Sequence, residues 1–270
     1  MELNHKTIGA GDPLVILHGL FGMLDNWQTL GKRFGESPDR ARGSSGSARG
    51  RMAILVDQRN HGKSPHADEV DYPSLAADLS EFLENQWIHE ADILGHSMGG
   101  KVAMQYALNF PDRVRKLIVV DMGVKQFPRG HDEIFAAMRS VPLTVEAGKK
   151  PLSRSQIDEL LSERIAEPGV RMFLMKNLKR NKELGYDWKM NLDALEKGYQ
   201  EILKPISGEP WPGDALFIRG GNSGYVKDED WPGIQALFPN ARLETVEGAG
   251  HWVHAQAPNE VFELVESFLS

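Results

Sequence analysis

The chain has no cysteine among its 270 residues. That absence excludes disulfides, thiolate-held zinc or iron-sulfur sites and any cysteine nucleophile, so covalent catalysis would fall to serine, threonine or aspartate. Positive charge is also in short supply: 31 Lys and Arg against 38 Asp and Glu give a formal net charge of -7, and no concentrated basic surface for a nucleic-acid backbone is evident. No apolar run approaches the roughly 20 residues that span a bilayer. The opening MELNHKTIGAGDPL carries neither the basic flank nor the apolar stretch of a secretory signal. The expectation is a cytoplasmic protein without a membrane span, a monomer or small homo-oligomer, acting on a small molecule.

What is present is a repeating alternation. Short apolar runs rich in β-branched residues recur at Leu14 to Leu17, Ala53 to Val56, Asp92 to Leu94, Leu117 to Val120, Leu216 to Ile218 and Arg242 to Val246. Most are too short for helices and read as buried strands. Between them lie helical stretches at Trp27 to Phe34, Ser74 to Asn85, Met98 to Asn109, Asp230 to Leu237 and Asn259 to Leu269. Strand-helix alternation of this kind predicts an α/β fold with a mostly parallel sheet covered by helices on both faces.

The alternation fails between Gln126 and Pro205, where Ile134, Phe135 and Met138, then Val170, Leu174, Asn177 and Leu178, keep helical spacing with no strand among them. A helical cap or lid at 126-205 is therefore expected, inserted into a core formed by 1-125 and 206-270, over the carboxyl ends of the strands where α/β folds bind ligands. A second irregular segment, Glu36 to Arg51 (ESPDRARGSSGSARGR), reads as a mobile surface loop. Its arginines Arg40, Arg42, Arg49 and Arg51 could gather a phosphate, although a solvated insertion accounts for them more simply.

Chemistry concentrates at Gly95-His96-Ser97-Met98-Gly99, which follows one predicted strand and opens a helix. In a G-x-S-x-G at such a junction, flanking glycines allow a tight turn that lifts the serine hydroxyl above the sheet edge, with the following backbone N-H facing the same space. Serine is a weak nucleophile at neutral pH and needs a histidine base, itself oriented by an acid. His251, in Gly248-Ala249-Gly250-His251-Trp252, follows the last predicted strand and is the candidate base, with His254 as competitor. His96 should point away across the turn, and His5, His66 and His89 read as surface residues. The turn His18-Gly19-Leu20-Phe21-Gly22 can offer a second oxyanion donor beside the Met98 N-H; Leu20 is the first choice and Phe21 the alternative. Asp57 with His61 lacks a third metal ligand and reads as a turn, and His131-Asp132-Glu133 reads as the first turn of a lid helix. Neither a metal nor a cofactor is expected.

Taken together, HGLFGMLDNW, VDQRNHGKSP, YPSLAADL, GHSMGGKVAM, HDEIFAAM, LFIRGGNSGYV and GAGHWVHAQAP resemble the YbfF-type esterases of the α/β-hydrolase superfamily, over nearly the whole chain apart from Glu36 to Arg51. The resemblance implies an α/β-hydrolase fold and a Ser97-His251-acid triad. In most members the acid follows the strand before the last one, but here Gly224 stands where many relatives carry aspartate. Asp121, ending the strand after the nucleophile helix, should reach the same sheet edge; the YbfF-type proteins resemble this chain in having aspartate there. Asp121 is assigned as the acid, with an acid near Asp228 (Asp228, Glu229 or Asp230) as the competitor and a lid-turn cap as its alternative role.

Such a triad implies acyl transfer to water: hydrolysis of acyl esters, with acyl-CoA thioesters as a further candidate. Phe127, Phe135, Met138, Met172, Phe173, Met175, Trp188 and Met190 could face an acyl chain or merely seal lid to core. A C-C bond hydrolase or menaquinone-type lyase on the same triad, and a non-catalytic ligand receptor, are the rival readings.

Overall fold

The computed structural model describes residues 1-36, 50-144, 150-181 and 185-270. Its main sheet has seven strands in the order β1-β3-β2-β4-β5-β8-β9. β1 is His5–Gly9, β2 Asp12–Leu17, β3 Arg51–Val56, β4 Ala91–His96, β5 Val114–Val120, β8 Asp214–Gly220 and β9 Ala241–Val246. β1 pairs antiparallel with β3, and every other neighbour is parallel. The fold is the mostly parallel, helix-flanked α/β-hydrolase arrangement expected from the sequence.

The central strands are continuous apolar runs because both faces are covered. In β2, Leu14 to Leu17 are all buried, and in β5 Leu117 to Val120 have no exposure at all. Alternate residues serve opposite layers: Val15, Leu17, Ile93 and Val119 belong to one buried cluster, and Leu14, Ile16, Leu94, Ile118 and Val120 to the other. The period-2 geometry of a strand requires this division.

Three expectations change. β1 was not anticipated: HKTIG has no apolar run, because an edge strand with one neighbour need not bury both faces. Segment 126-205, expected to be free of strands, holds an antiparallel pair of strands, β6 (Leu178–Asn181) and β7 (Gly185–Trp188), among its helices. These strands are four residues each and mostly polar, so their signal is lost beside helical spacing. Finally, Arg51 is no loop residue. It begins β3, buried, within 3.3 Å of both Asp92 and Glu266, which ends its candidacy as a phosphate collector. Arg40, Arg42 and Arg49 lie outside the described residues.

The helical part of 126-205 shares its interior with the sheet: Phe135, Met138, Ile157, Leu174 and Tyr199 fall in the same buried cluster as Val119 and Phe217. No described helix is long and apolar enough to cross a membrane.

Candidate active site

β4, β5 and β8 end side by side, and their carboxyl edge positions the chemistry. Ser97 follows β4 with φ 54°, and Asp121 follows β5 with φ 49°, both in the left-handed region that L-residues seldom occupy. Each kink is tied to the next strand: the Ser97 N-H donates to Val120 O at 3.1 Å, and the Asp121 N-H to Ile218 O at 2.7 Å. The turn tolerates no side chain at its flanks. A Cβ at Gly95 would collide with the Gly99 carbonyl, and one at Gly99 with the Leu17 and His18 carbonyls.

His251 arrives from the turn after β9. Its Nε2 lies 3.0 Å from Ser97 Oγ and its Nδ1 2.7 Å from Asp121 Oδ2. A carboxylate only accepts, so Nδ1 carries the ring proton and the Nε2 lone pair faces the serine hydroxyl. Asp121 is fully buried and accepts from two further donors: the Gly220 N-H donates to Oδ1 at 3.1 Å, and Ser223 Oγ donates to Oδ2. Tyr225 stacks on the His251 ring with centroids 3.7 Å apart and planes 14° from parallel.

The competitors are elsewhere. His254 stacks on Trp27 with centroids 4.3 Å apart and makes no hydrogen bond to Ser97. Asp228 is 90% exposed and pairs with Arg219 at 2.7 Å, while Glu229 pairs with Lys227 and Asp230 with Lys125. His96, expected to point away across the turn, has its ring centroid 4.8 Å from that of His251, and its Nε2 meets the His251 carbonyl at 2.8 Å and so holds that residue's main chain. Ser223, Tyr225 and this contact of His96 escaped the sequence reading, since each acts through a partner distant in the chain.

Two buried histidines shape the turn at residues 18-22. His18 Nδ1 donates to Gly19 O at 2.8 Å, and its Nε2 accepts the Gln58 N-H at 3.1 Å. His61 Nδ1 donates to Arg59 O at 2.9 Å, leaving Nε2 to accept the Phe21 N-H at 3.3 Å. Burial pushes His18 down to about 4 and His61 to about 3, so both stay neutral and keep one accepting nitrogen. The Phe21 N-H is thereby engaged, whereas Leu20 lines the cavity together with Ser97 and Met98. Phe21 O accepts from Asn177 Nδ2 at 2.7 Å, which links the turn to segment 126-205.

Asp57 behaves as a turn anchor, accepting the Leu24 and Lys63 N-H groups and the Asn4 amide. No cluster of three metal-ligating side chains occurs among the described residues. His131 precedes the helix Asp132–Ser140, as anticipated, and its Nδ1 meets Tyr199 Oη at 2.6 Å.

A cavity of about 400 Å³ opens over Ser97. Of the eight apolar residues singled out in segment 126-205, Phe127 alone lines it. Phe135, Met138, Met175 and Met190 are buried packing, Met172 is 60% exposed, and Phe173 rests near Trp252. The apolar wall comes instead from Leu20, Met98, Met122, Ile202 and Leu203, residues from several elements that no local periodicity collects.

Residues 12-148 match the model of the alpha/beta hydrolase fold family. The chain belongs to the α/β-hydrolase fold family. Esterase YbfF of Escherichia coli K12 is 36% identical over the full length of both chains. The sn-1-specific diacylglycerol lipase ABHD11 of Xenopus laevis is 37% identical over 96% of this chain and 80% of its own. A solved marine microorganism esterase superposes with a TM-score of 0.90 at 39% identity, covering 99% of each chain. This α/β-hydrolase is accordingly a carboxylic ester hydrolase, as the resemblance implied.

Proposed function

We propose that the enzyme hydrolyses acyl esters through a covalent acyl-enzyme, with Ser97 as nucleophile, His251 as general base and acid, and Asp121 as the group that orients His251. The observation carrying this reading is the unbroken chain of contacts from Ser97 Oγ to His251 at 3.0 Å and on to Asp121 at 2.7 Å. Ser97 Oγ attacks the ester carbonyl as its proton passes to His251 Nε2. The imidazolium, stabilised by Asp121, returns that proton to the departing alkoxide, and a water repeats the sequence to release the acid. The Leu20 and Met98 N-H groups are the donors we assign to the oxyanion.

The substrate class we infer is an ester with an apolar acyl chain, matching the largely apolar cavity wall and the lipase and esterase relatives; thioesters share the acyl chemistry and fall within the proposal. The segment 126-205 serves as a cap that supplies part of that wall. A triad acting on anionic C-C substrates would call for a free arginine over the site. Arg129, the arginine lining the cavity, instead pairs with Asp132 through two nitrogens.

Steady-state kinetics with p-nitrophenyl esters test this directly. Ser97→Ala should abolish turnover, and kcat/KM of the native enzyme should rise from acetate toward octanoate. A monotonic fall from acetate would remove the acyl-chain reading, and persistent turnover in Ser97→Ala the nucleophile. Ser223→Ala removes one of the three donors on Asp121. At about 1.5–3 kcal/mol for a hydrogen bond to a charged group, it should cost roughly tenfold or more in kcat. An unchanged kcat would show that Ser223 merely packs beside the acid.

A further inference from the structure

Lys101 lies one helical turn after Ser97, its N-H bonded to Ser97 O at 3.2 Å, yet nothing in the acyl-transfer chemistry uses its side chain. The residue has no exposed surface. An ammonium taken out of water normally meets a carboxylate, but Lys101 forms no ion pair among the described residues. Its Nζ donates to two main-chain carbonyls, Lys125 O at 2.9 Å and Lys204 O. The Phe127 and Tyr72 rings stand 4.9 and 5.5 Å from the same nitrogen. Desolvation pushes the ammonium down to about 7, a sign of how little surrounds it in compensation.

The two carbonyls are far apart in sequence but adjacent in function. Lys125 stands where the chain leaves the sheet for the inserted segment, and Lys204 where it comes back. The two passes are themselves paired, Phe127 N-H to Leu203 O at 3.0 Å and Ile206 N-H to Val124 O at 2.8 Å. Lys204 also follows the short helix Tyr199–Leu203, whose final carbonyls have no partner within the helix. Tyr72 Oη takes the Ile202 carbonyl at 2.6 Å, and Lys101 takes that of Lys204. A cation suits this end of a helix dipole. Phe127, Ile202 and Leu203, on the two passes so fixed, are also walls of the cavity over Ser97, as is Lys101 itself.

We propose that Lys101 is a positioning residue for acyl selection: it binds the main chain at both crossings of the inserted segment, fixing the cavity's far wall relative to the helix that begins beside Ser97. This rests on the acyl-ester reading above. A short acyl group needs the serine, histidine and oxyanion donors but little of that wall, whereas a long one needs its full apolar surface. Loss of the clamp therefore weakens long-chain esters selectively, chiefly through KM.

The experiment compares kcat and KM for p-nitrophenyl acetate and octanoate in the native enzyme, in Lys101→Met, which keeps the side-chain length without a donor, and in Tyr72→Phe, which removes only the hydroxyl on Ile202 O. The ratio of kcat/KM for octanoate over acetate should fall about tenfold in Lys101→Met and about threefold in Tyr72→Phe, with KM for octanoate carrying most of the change. Both esters slowing in proportion, or a ratio within twofold of native in the variants that fold, overturns the proposal. Should Lys101→Met fail to fold, Tyr72→Phe decides by the same criterion. A native enzyme inactive on both esters would overturn the acyl-ester reading first, an outcome distinct from an active enzyme whose ratio does not move.

Discussion

Asparagine in place of Asp121 should lower kcat on p-nitrophenyl esters by about 10⁴-fold, as loss of the orienting acid does in comparable triads, while Asp228→Asn should remain within about twofold of native. The amide is nearly the same shape as the carboxylate, and asparagine is among the residues that tolerate left-handed backbone, so the kink at φ 49° survives. The hydrogen-bonding pattern does not survive. An amide nitrogen facing His251 Nδ1 donates where the carboxylate accepted, forcing the ring proton onto Nε2 and closing the lone pair that Ser97 needs. Asp228, exposed and paired with Arg219, has no comparable path to the base. Steady-state kinetics of the two variants check the assignment; collapse in Asp228→Asn alone would transfer the role.

Acid should destabilise this enzyme well before its carboxylates are neutralised. Burial holds His18 and His131 down to about 4, and His61 and His254 to about 3. In the unfolded chain each returns to about 6.5. Below that value the unfolded state binds protons that the native state refuses, so stability falls with falling pH across the window from about 6.5 to 3–4. At pH 5.5 each group costs about 1.4 kcal/mol, and the four together cost about 6 kcal/mol, against a usual total of 5–15 kcal/mol. Scanning calorimetry should show Tm about 10 °C lower at pH 5.5 than at pH 7.5. A Tm flat to within about 3 °C across that interval would mean that these histidines bind protons in the folded state.

The parts legible in the sequence are those whose physics is local. Leu117 to Val120 announces a doubly covered strand because four consecutive branched or leucine side chains suit little else, and Gly95 to Gly99 announces a tight strand-to-helix turn because side chains at its flanks would collide with backbone. The placing of Asp121 at the same sheet edge as Ser97 was reachable by combining the two, since adjacent parallel strands end at one edge. The cavity wall was not reachable: Met122, Ile202 and Leu203 meet only after the chain has left the sheet and come back. The paired strands at 178-181 and 185-188 and the edge strand at 5-9 were hidden for a different reason, as short four- and five-residue strands lack the periodicity that separates strand from loop. Ser223 sits beside the glycine that drew attention, but its hydrogen bond to Asp121 spans 102 positions.

In the proposed triad the acid follows β5, which relieves the loop after β8 of supplying a charge at position 224. Gly224 lines the cavity, and a Cβ added there would meet no neighbour within 4 Å. Its backbone is outside the left-handed region, so larger residues can adopt it. Position 224 is therefore a vacant seat at the substrate's side: natural drift or a designer can fill it with bulk or polarity to retune which acids are released, without disturbing the contacts that join Asp121, His251 and Ser97.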